Sequence, residues 1–486
     1  MNIVCICLDT FRPDIVGSNK KLSHCKTPNL DDLYRQSVAF EGAYGEGQPT
    51  LQCRRAFFTG HRSFPWRYNF DRRGHWHHAP GWHKIPPEQD TLAEVLTARG
   101  YCTSMVADAY HMFKPTMNYT RGFSSYDFVR GQESDNYRPV VPELVEEQMK
   151  NHVREPISWE RHATLAQYLA NQGDRQREED YQCARVFRSA CDRLEGLSAA
   201  APFFLWIDSF DPHEPWDPPK KYADMYCPDY DGLDFVFPGA MHEGDGPTEQ
   251  EIERTKALYL GEVTFVDKWI GMLMDRLEEL KLMDDTIIMV LSDHGTEVYD
   301  HGTFGKKPRN QRPYTSRIVW YMRHPDGPAG QKIDAYVLSH DLMPTILELL
   351  DLEFELPGQS VMPLVRGETE KLRDYIVCGW AEWASGKAAG AATVRDDRWR
   401  YSVMTTQPDE QVLYDLQADE AEENDVLAEH PDVVRMQRDR IEKLLGQPLP
   451  AQYNEVCDPE PGPVHKFFSA RGIRRQEDEV PPENNV

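Results

Sequence analysis

Four aspartates, each set at the end of a short apolar run, constrain this chain more than any other feature of it. Asn2–Leu8 runs into Asp9, Tyr101–Ala107 into Asp108 and Phe203–Ile207 into Asp208, and Thr286–Leu291 is followed across Ser292 by Asp293. Apolar runs rich in branched residues and bounded by charge read as strands buried on both faces. Amphipathic segments of helical length lie between them. In Asp90–Gly100, Thr91 and Glu94 have capping-box spacing, Leu92, Val95 and Leu96 make an apolar face, and Gly100 can end the helix. A second helix is expected over about Glu251–Lys281, and Arg317–Met322 reads as a further strand. Strands alternating with helices predict an α/β fold with a mainly parallel central sheet flanked by helices. Ligands bind such sheets outside the carboxyl ends of the strands. One aspartate there is more often a cap or turn residue; four together mark a site.

The chain has 486 residues, against roughly 100–200 for one domain. Its texture divides it into a catalytic domain over 1–370, a C-terminal subdomain over 371–450 and a tail over 451–486. In the subdomain, Val394–Tyr401 and Gln411–Leu416 read as short antiparallel strands and Pro431–Leu445 as a helix, a small α+β unit. The tail is acidic and proline-rich and reads as extended, packed on the body or on a second subunit, so a homo-oligomer is compatible with it. A formal net charge of −26 argues against nucleic acid and against an anionic membrane as partners. A small anionic substrate is allowed, because salt screens distant charge beyond about 8–10 Å. The opening residues lack a basic n-region, and no run approaches the roughly 20 apolar residues that span a bilayer. The ten cysteines are scattered and read as reduced thiols, so a cytoplasmic protein is expected.

Ser292-Asp-His-Gly295 is the sharpest local motif. It presents a carboxylate and an imidazole side by side after a strand, and Asp9 offers a second carboxylate. That mixed oxygen and nitrogen set suits zinc or manganese better than calcium. For the motif alone, a capping aspartate beside a surface histidine is an equally good reading. Gln48–Gly60 reads as a loop entering a helix. Thr50 would lie at the positive end of that helix, where an anionic ester is favoured, and Arg54 one turn on could grip ester oxygens as a fork. From its local sequence, Thr50 is more simply an N-cap. The stretch His61–His83, with Trp66, His75, Trp76, His77, His78 and Trp82, could roof a pocket or be an ordinary surface loop. Trp380 and Trp383 are similarly open, and packing of the subdomain onto the body is one role for them.

Taken in order, these segments resemble the sulfatase family of the alkaline phosphatase superfamily, in its arylsulfatase and phosphonate monoester hydrolase branch, over nearly the whole chain. Ile6-Cys-Leu-Asp-Thr-Phe-Arg-Pro-Asp14 and Thr27-Pro-Asn-Leu30 look like the N-terminal metal motif and the segment after it. Thr91–Leu96 with Gly100–Thr103 matches the next helix and strand, and Ser209-Phe-Asp-Pro-His-Glu-Pro-Trp216 the segment that contributes an active-site histidine. Ser292–Gly295 followed by Asp300-His-Gly-Thr-Phe-Gly-Lys306 resembles the second metal motif and the catalytic lysine. His340-Asp-Leu-Met-Pro-Thr345 and Leu413-Tyr-Asp-Leu416 recur in the C-terminal part. The resemblance implies one divalent metal (zinc or manganese favoured, calcium allowed) held by Asp9, Asp293, His294 and Thr50. It implies catalytic roles for Thr50, Arg54, His213 and Lys306, with His301 assisting or shaping the lysine loop.

The departures bear on chemistry. Family members that hydrolyse sulfates carry a cysteine, oxidised to formylglycine, in a Cys-X-Pro-Ser-Arg pattern. Counting back from Thr59-Gly60 puts Thr50 in that place and Arg54 at the arginine. Cys53 is offset by three residues and reads as helix packing. A threonine ester cannot expel its group by collapse of an aldehyde hydrate, so water must attack the central atom, which phosphorus tolerates better than sulfur. Where sulfatases have Gly-Lys-Trp-His, this chain has Ala107-Asp-Ala-Tyr-His111; a cation is lost, and Asp108 and His111 become candidate substrate contacts. The reading is a metal-dependent hydrolase of a small phosphate or phosphonate ester, mono- or diester, through a covalent Thr50 intermediate. A sulfatase working without formylglycine, a transferase using the same intermediate, and a non-catalytic metal-binding homologue compete with it.

Overall fold

The computed structural model describes residues 1–17, 20–22, 24–66, 81–114, 117–154, 157–173, 175–242, 246–307, 309, 311–384, 387–453 and 462–473. An eight-stranded sheet runs through the large domain in the order Lys332–Ile333, Val38–Phe40, Trp320–Arg323, Thr286–Ser292, Asn2–Leu8, Phe203–Ser209, Cys102–Ala107, Ser125–Phe128. All neighbours pair parallel except Trp320–Arg323, which runs antiparallel to both of its own. The expected strand over Arg317–Met322 therefore begins later, because Arg317 is held back in a bridge to Tyr44.

The central strand shows why the runs are apolar throughout. Val4, Ile6 and Leu8 enter one core and Ile3, Cys5 and Cys7 the other, as the two-residue alternation of a strand requires. Helices Gln182–Ala199 and Glu249–Glu279 cover the first face, and Thr50–Thr59, Leu92–Ala98 and Leu342–Leu349 cover the second. The capping box of Thr91 and Glu94 is present. A second box, Thr248 with Glu251, opens the Glu249–Glu279 helix.

The C-terminal sheet is built from Tyr375–Ala384, Lys387–Asp396, Trp399–Met404 and Gln407–Asp415, with Pro431–Leu445 packed on it. The expected strand Val394–Tyr401 spans the turn of a hairpin, since Asp396 and Trp399 lie on opposite strands. A fifth strand comes from the large domain: Gly47 and Gln48 pair with Gly379 and Trp380. The tail is not wholly extended. Pro463–Ala470 is a helix that buries Phe468 in a cluster with Leu165 and Leu169. Most of the His61–His83 stretch, including His75, Trp76, His77 and His78, lies outside the described residues, as does the side chain of Trp383. Among the described residues no helix is long and apolar enough to cross a membrane, and the cysteines are free thiols.

Candidate active site

The sheet delivers all four aspartates to one edge, fully buried. Neighbouring strand ends tie them together: the Asp9 amide donates to the Ser209 carbonyl at 2.9 Å, and the Asp108 amide to the Asp208 carbonyl at 3.2 Å. Their side chains then take different work.

Asp9, Asp293 and His294 converge, with one ligand-type atom from each within 4.8 Å of the others. The Thr10 hydroxyl donates to Asp9 Oδ1 at 2.8 Å, and the Thr10 and His294 amides donate to Asp293 Oδ1 at 3.1 and 2.8 Å. This fixes both carboxylates by one oxygen. The His294 Nδ1 faces the Gly295 carbonyl at 2.9 Å, so the hydrogen sits on Nδ1 and the Nε2 lone pair points away from it. His294 Nε2 and Asp9 Oδ2 are buried and take no hydrogen bond, although Asp9 Oδ2 lies 3.0 Å from Arg54 Nη1. Burial pushes His294 down to about 3, which keeps the imidazole neutral. Burial, and then repulsion from Asp293, pushes Asp9 up. Burial is the first cause of both shifts, and only the rise at Asp9 also reflects carboxylate charge that is incompletely balanced.

Arg54 is the other half of that balance. Its Nε and Nη2 donate to Asp208 (3.0 and 2.7 Å), and its Nη1 reaches Asp293 Oδ2 at 2.6 Å, Asp9 Oδ2 at 3.0 Å and the Thr50 carbonyl at 3.3 Å. Expected to hold ester oxygens, this guanidinium is instead engaged at all three nitrogens. Three carboxylates (Asp9, Asp208, Asp293) and one guanidinium leave two negative charges, which a divalent cation on Asp9, Asp293 and His294 would neutralise. The residues present thus fit such an ion.

Thr50 is the first residue of the fully buried helix Thr50–Thr59, and Pro49, not Thr50, is its N-cap. Its φ of +28° is a conformation that β-branched residues rarely adopt. Cys53 packs in the core beneath it, and burial holds its thiol well above the usual range.

A second cluster faces the first. Lys306 Nζ donates to both oxygens of Glu214 (2.7 and 2.6 Å) and lies 3.0 Å from His213 Nε2. The His213 ring stacks on Phe210 at 4.2 Å. His213 and Lys306 are each felt at the cation cluster: His213 favours the Asp9 carboxylate, and Lys306 disfavours a charge on His294. Burial raises Glu214, but His213 and Lys306 outweigh it and bring the carboxyl down to about 2. His301, in the turn of the short hairpin before Lys306, is bound at Nδ1 by the Tyr314 hydroxyl (2.6 Å) and at Nε2 by Arg312 (2.5 Å).

Asp108 turns elsewhere. It accepts from the Phe210 amide at 2.6 Å and from Gln132, which also donates to Asp211. Burial, then Asp211, pushes Asp108 well up. His111 packs against Tyr110 and Trp82 and lies 3.9 Å from Glu133.

The residues that sequence reasoning passed over are Thr10, Glu214, Gln48 and Tyr259. Gln48 donates to the Asp293 carbonyl at 3.3 Å. The Tyr259 hydroxyl donates to the Thr10 carbonyl at 3.1 Å. Glu214 adjoins the expected His213, and an acid beside it is the only signal the sequence held.

A model of the sulfatase family matches residues 1–352, and one described as N-sulphoglucosamine sulphohydrolase, C-terminal, matches 300–447. An arylsulfatase of Clostridium perfringens is 24% identical over 77% of this chain and 80% of its own length. The multifunctional alkaline phosphatase superfamily protein PehA of Trinickia caryophylli is 24% identical over 91% of this chain and 94% of its own. A solved phosphonate monoester hydrolase of Agrobacterium radiobacter shares the fold, with a TM-score of 0.69, 21% identity and coverage of 92% of this chain and 95% of that one.

Proposed function

The chain belongs to the sulfatase family of the alkaline phosphatase superfamily, and from that premise we propose that it hydrolyses a phosphate or phosphonate ester through a covalent intermediate on Thr50. One observation carries the proposal: a single nitrogen, Arg54 Nη1, touches Asp9, Asp293 and the Thr50 backbone together. The threonine therefore starts its helix beside the cation cluster. A divalent ion bound by Asp9, Asp293 and His294, with Thr50 as its fourth ligand, would supply positive charge that favours the ionised hydroxyl.

The Thr50 oxygen attacks phosphorus, the bond from phosphorus to the leaving oxygen breaks, and that oxygen takes a proton from the His213–Lys306 pair. Lys306 also holds the non-bridging oxygens as their charge redistributes. With Nδ1 turned to the Glu214 carbonyl, His213 accepts at Nε2 from Lys306. The proton available to the leaving oxygen is therefore the one on Lys306, which His213 orients by accepting it at Nε2. Water then attacks phosphorus, the bond to Thr50 breaks, and the released proton returns to the dyad. Arg54 acts as a positioning residue for Asp9 and Asp293. The burial of Cys53 supports threonine as the reacting side chain at this helix start. PehA and the phosphonate monoester hydrolase, by their names, make phosphorus esters the first substrates to try.

The test is a parallel assay of aryl phosphate, phosphate diester, phosphonate monoester and aryl sulfate with added zinc, manganese or calcium. The expected result is fastest turnover on a phosphorus ester. Thr50→Ala should lower it by roughly 10⁴-fold or more, while Thr50→Ser retains part of it. Full activity in Thr50→Ala would refute the covalent scheme, and a preference for aryl sulfate would refute the choice of phosphorus.

A further inference from the structure

A cavity of about 490 Å³ opens between the large domain and the C-terminal sheet, and Arg312, Arg317 and Arg395 line it. None of Asp9, Thr50, His213, Asp293, His294 and Lys306 does, so it is distinct from the cation cluster and the lysine pair, and it adjoins them through the contact of Arg312 with His301.

Arg312 is the informative residue. Its side chain is a buried cation, 8% exposed. Among the described residues it bonds to neutral groups: the His301 imidazole at 2.5 Å and the carbonyls of Glu422 (2.9 Å) and Ala421 (3.5 Å). Among the described residues no carboxylate lies within 4.0 Å of it, and its Nε is buried with no acceptor. A buried guanidinium in this condition is costly unless a counter-charge completes it. Arg317 repeats the pattern more weakly. Its Nε is likewise buried without an acceptor, and its nearest carboxylate, Glu41, is 3.9 Å away. Arg395 by contrast is satisfied by Glu422.

The carboxylates on the wall do not supply the missing charge. Asp14 is held by Arg12 at 2.6 and 2.8 Å, and Glu41, also on the wall, accepts from the Tyr34 hydroxyl at 2.7 Å. Asp334 and Glu420 also line the cavity and disfavour an anion near themselves, so an anion must seat against the arginines. Tyr44 and Tyr336 add flat faces to the wall, and Lys21 stands at its exposed rim.

We propose that this interdomain cavity is a second ligand site, which takes a small oxyanion (phosphate, sulfate or carboxylate) on the open donors of Arg312 and Arg317. The inference does not rest on the function proposed above, since it uses none of those residues.

The test is titration calorimetry of the full chain with inorganic phosphate, then with sulfate and acetate to rank the oxyanions. Lys306→Ala serves as the background in which binding at the catalytic site is weakened. In that background a phosphate-binding event should remain, and Arg317→Gln should weaken it by about tenfold, the loss of one charge-assisted donor. Lys21→Glu, at the exposed rim, reads the same loss if Arg317→Gln fails to fold. The proposal is overturned if no event remains in Lys306→Ala, or if the event is unchanged in a folded Arg317→Gln and in Lys21→Glu.

Discussion

Arg54 brings one positive charge among three buried carboxylates, and Glu214 brings one negative charge between Lys306 and His213. The two act as opposite anchors of the site: one keeps the cation cluster from repelling itself, the other keeps the lysine in place. Glu214 gives the clearest prediction at this scale. Its folded value of about 2 lies below its ordinary 4.5. A depressed carboxyl adds stability that is present above the ordinary value and is lost as the pH falls through the folded one. Wild type should therefore exceed Glu214→Gln in stability at pH 6 by on the order of 2 kcal/mol, and the gap should close as the pH approaches 2. Denaturant midpoints of the two proteins at pH 6, 4 and 2.5 measure this; a gap that does not shrink would separate Glu214 from the lysine contact.

At the scale of the element, the Ser292–Gly295 turn and the hairpin before Lys306 decide whether the side chains meet. Gly295 has no unusual φ; its contribution is room. Its amide donates to the Thr315 carbonyl at 2.9 Å, and a Cβ there would strike the Tyr314 carbonyl oxygen. The backbone of the Ser292–Gly295 turn thus lies directly on the Pro313–Ser316 helix. Gly295→Ala should force the turn outward, lowering stability by about 1–3 kcal/mol and turnover by at least about tenfold, as read by thermal unfolding and steady-state rates. The hairpin is clamped from the N-terminal motif: Arg12 binds Asp14 and Asp300, each by two hydrogen bonds. The residue after Asp9 also finds its use here. Thr10 fixes Asp9 and Asp293 by hydrogen bonds.

For the whole molecule, the boundary near residue 370 is not a clean one. Gly47 and Gln48, just before Thr50, form a strand of the C-terminal sheet. Trp380 from that sheet lies 5.1 Å from the His294 ring, and Phe64 and Trp66 of the large domain sit in the C-terminal core. A chain ending at residue 370 should lose a sheet partner beside Thr50 and expose that core. It should fail to give soluble, cooperatively unfolding protein. A truncated chain that unfolds cooperatively and keeps activity would show the two parts to be independent.

The α/β class, the parallel sheet and the gathering of Asp9, Asp108, Asp208 and Asp293 at one edge were all legible in the chain. They arise from local pattern: apolar runs of strand length, helix caps, and a side chain placed where each strand stops. His213 and Lys306 were legible only through motif resemblance, because nothing local distinguishes them from surface residues. Only the tertiary structure decided the partner of each charge. Arg54 turned to three carboxylates, Asp108 to Gln132 beside Asp211, Glu214 to Lys306, and Arg312 has no counter-charge among the described residues. Those pairings join residues up to hundreds of positions apart. Their energies depend on distance and burial, and neither is written in the order of the residues.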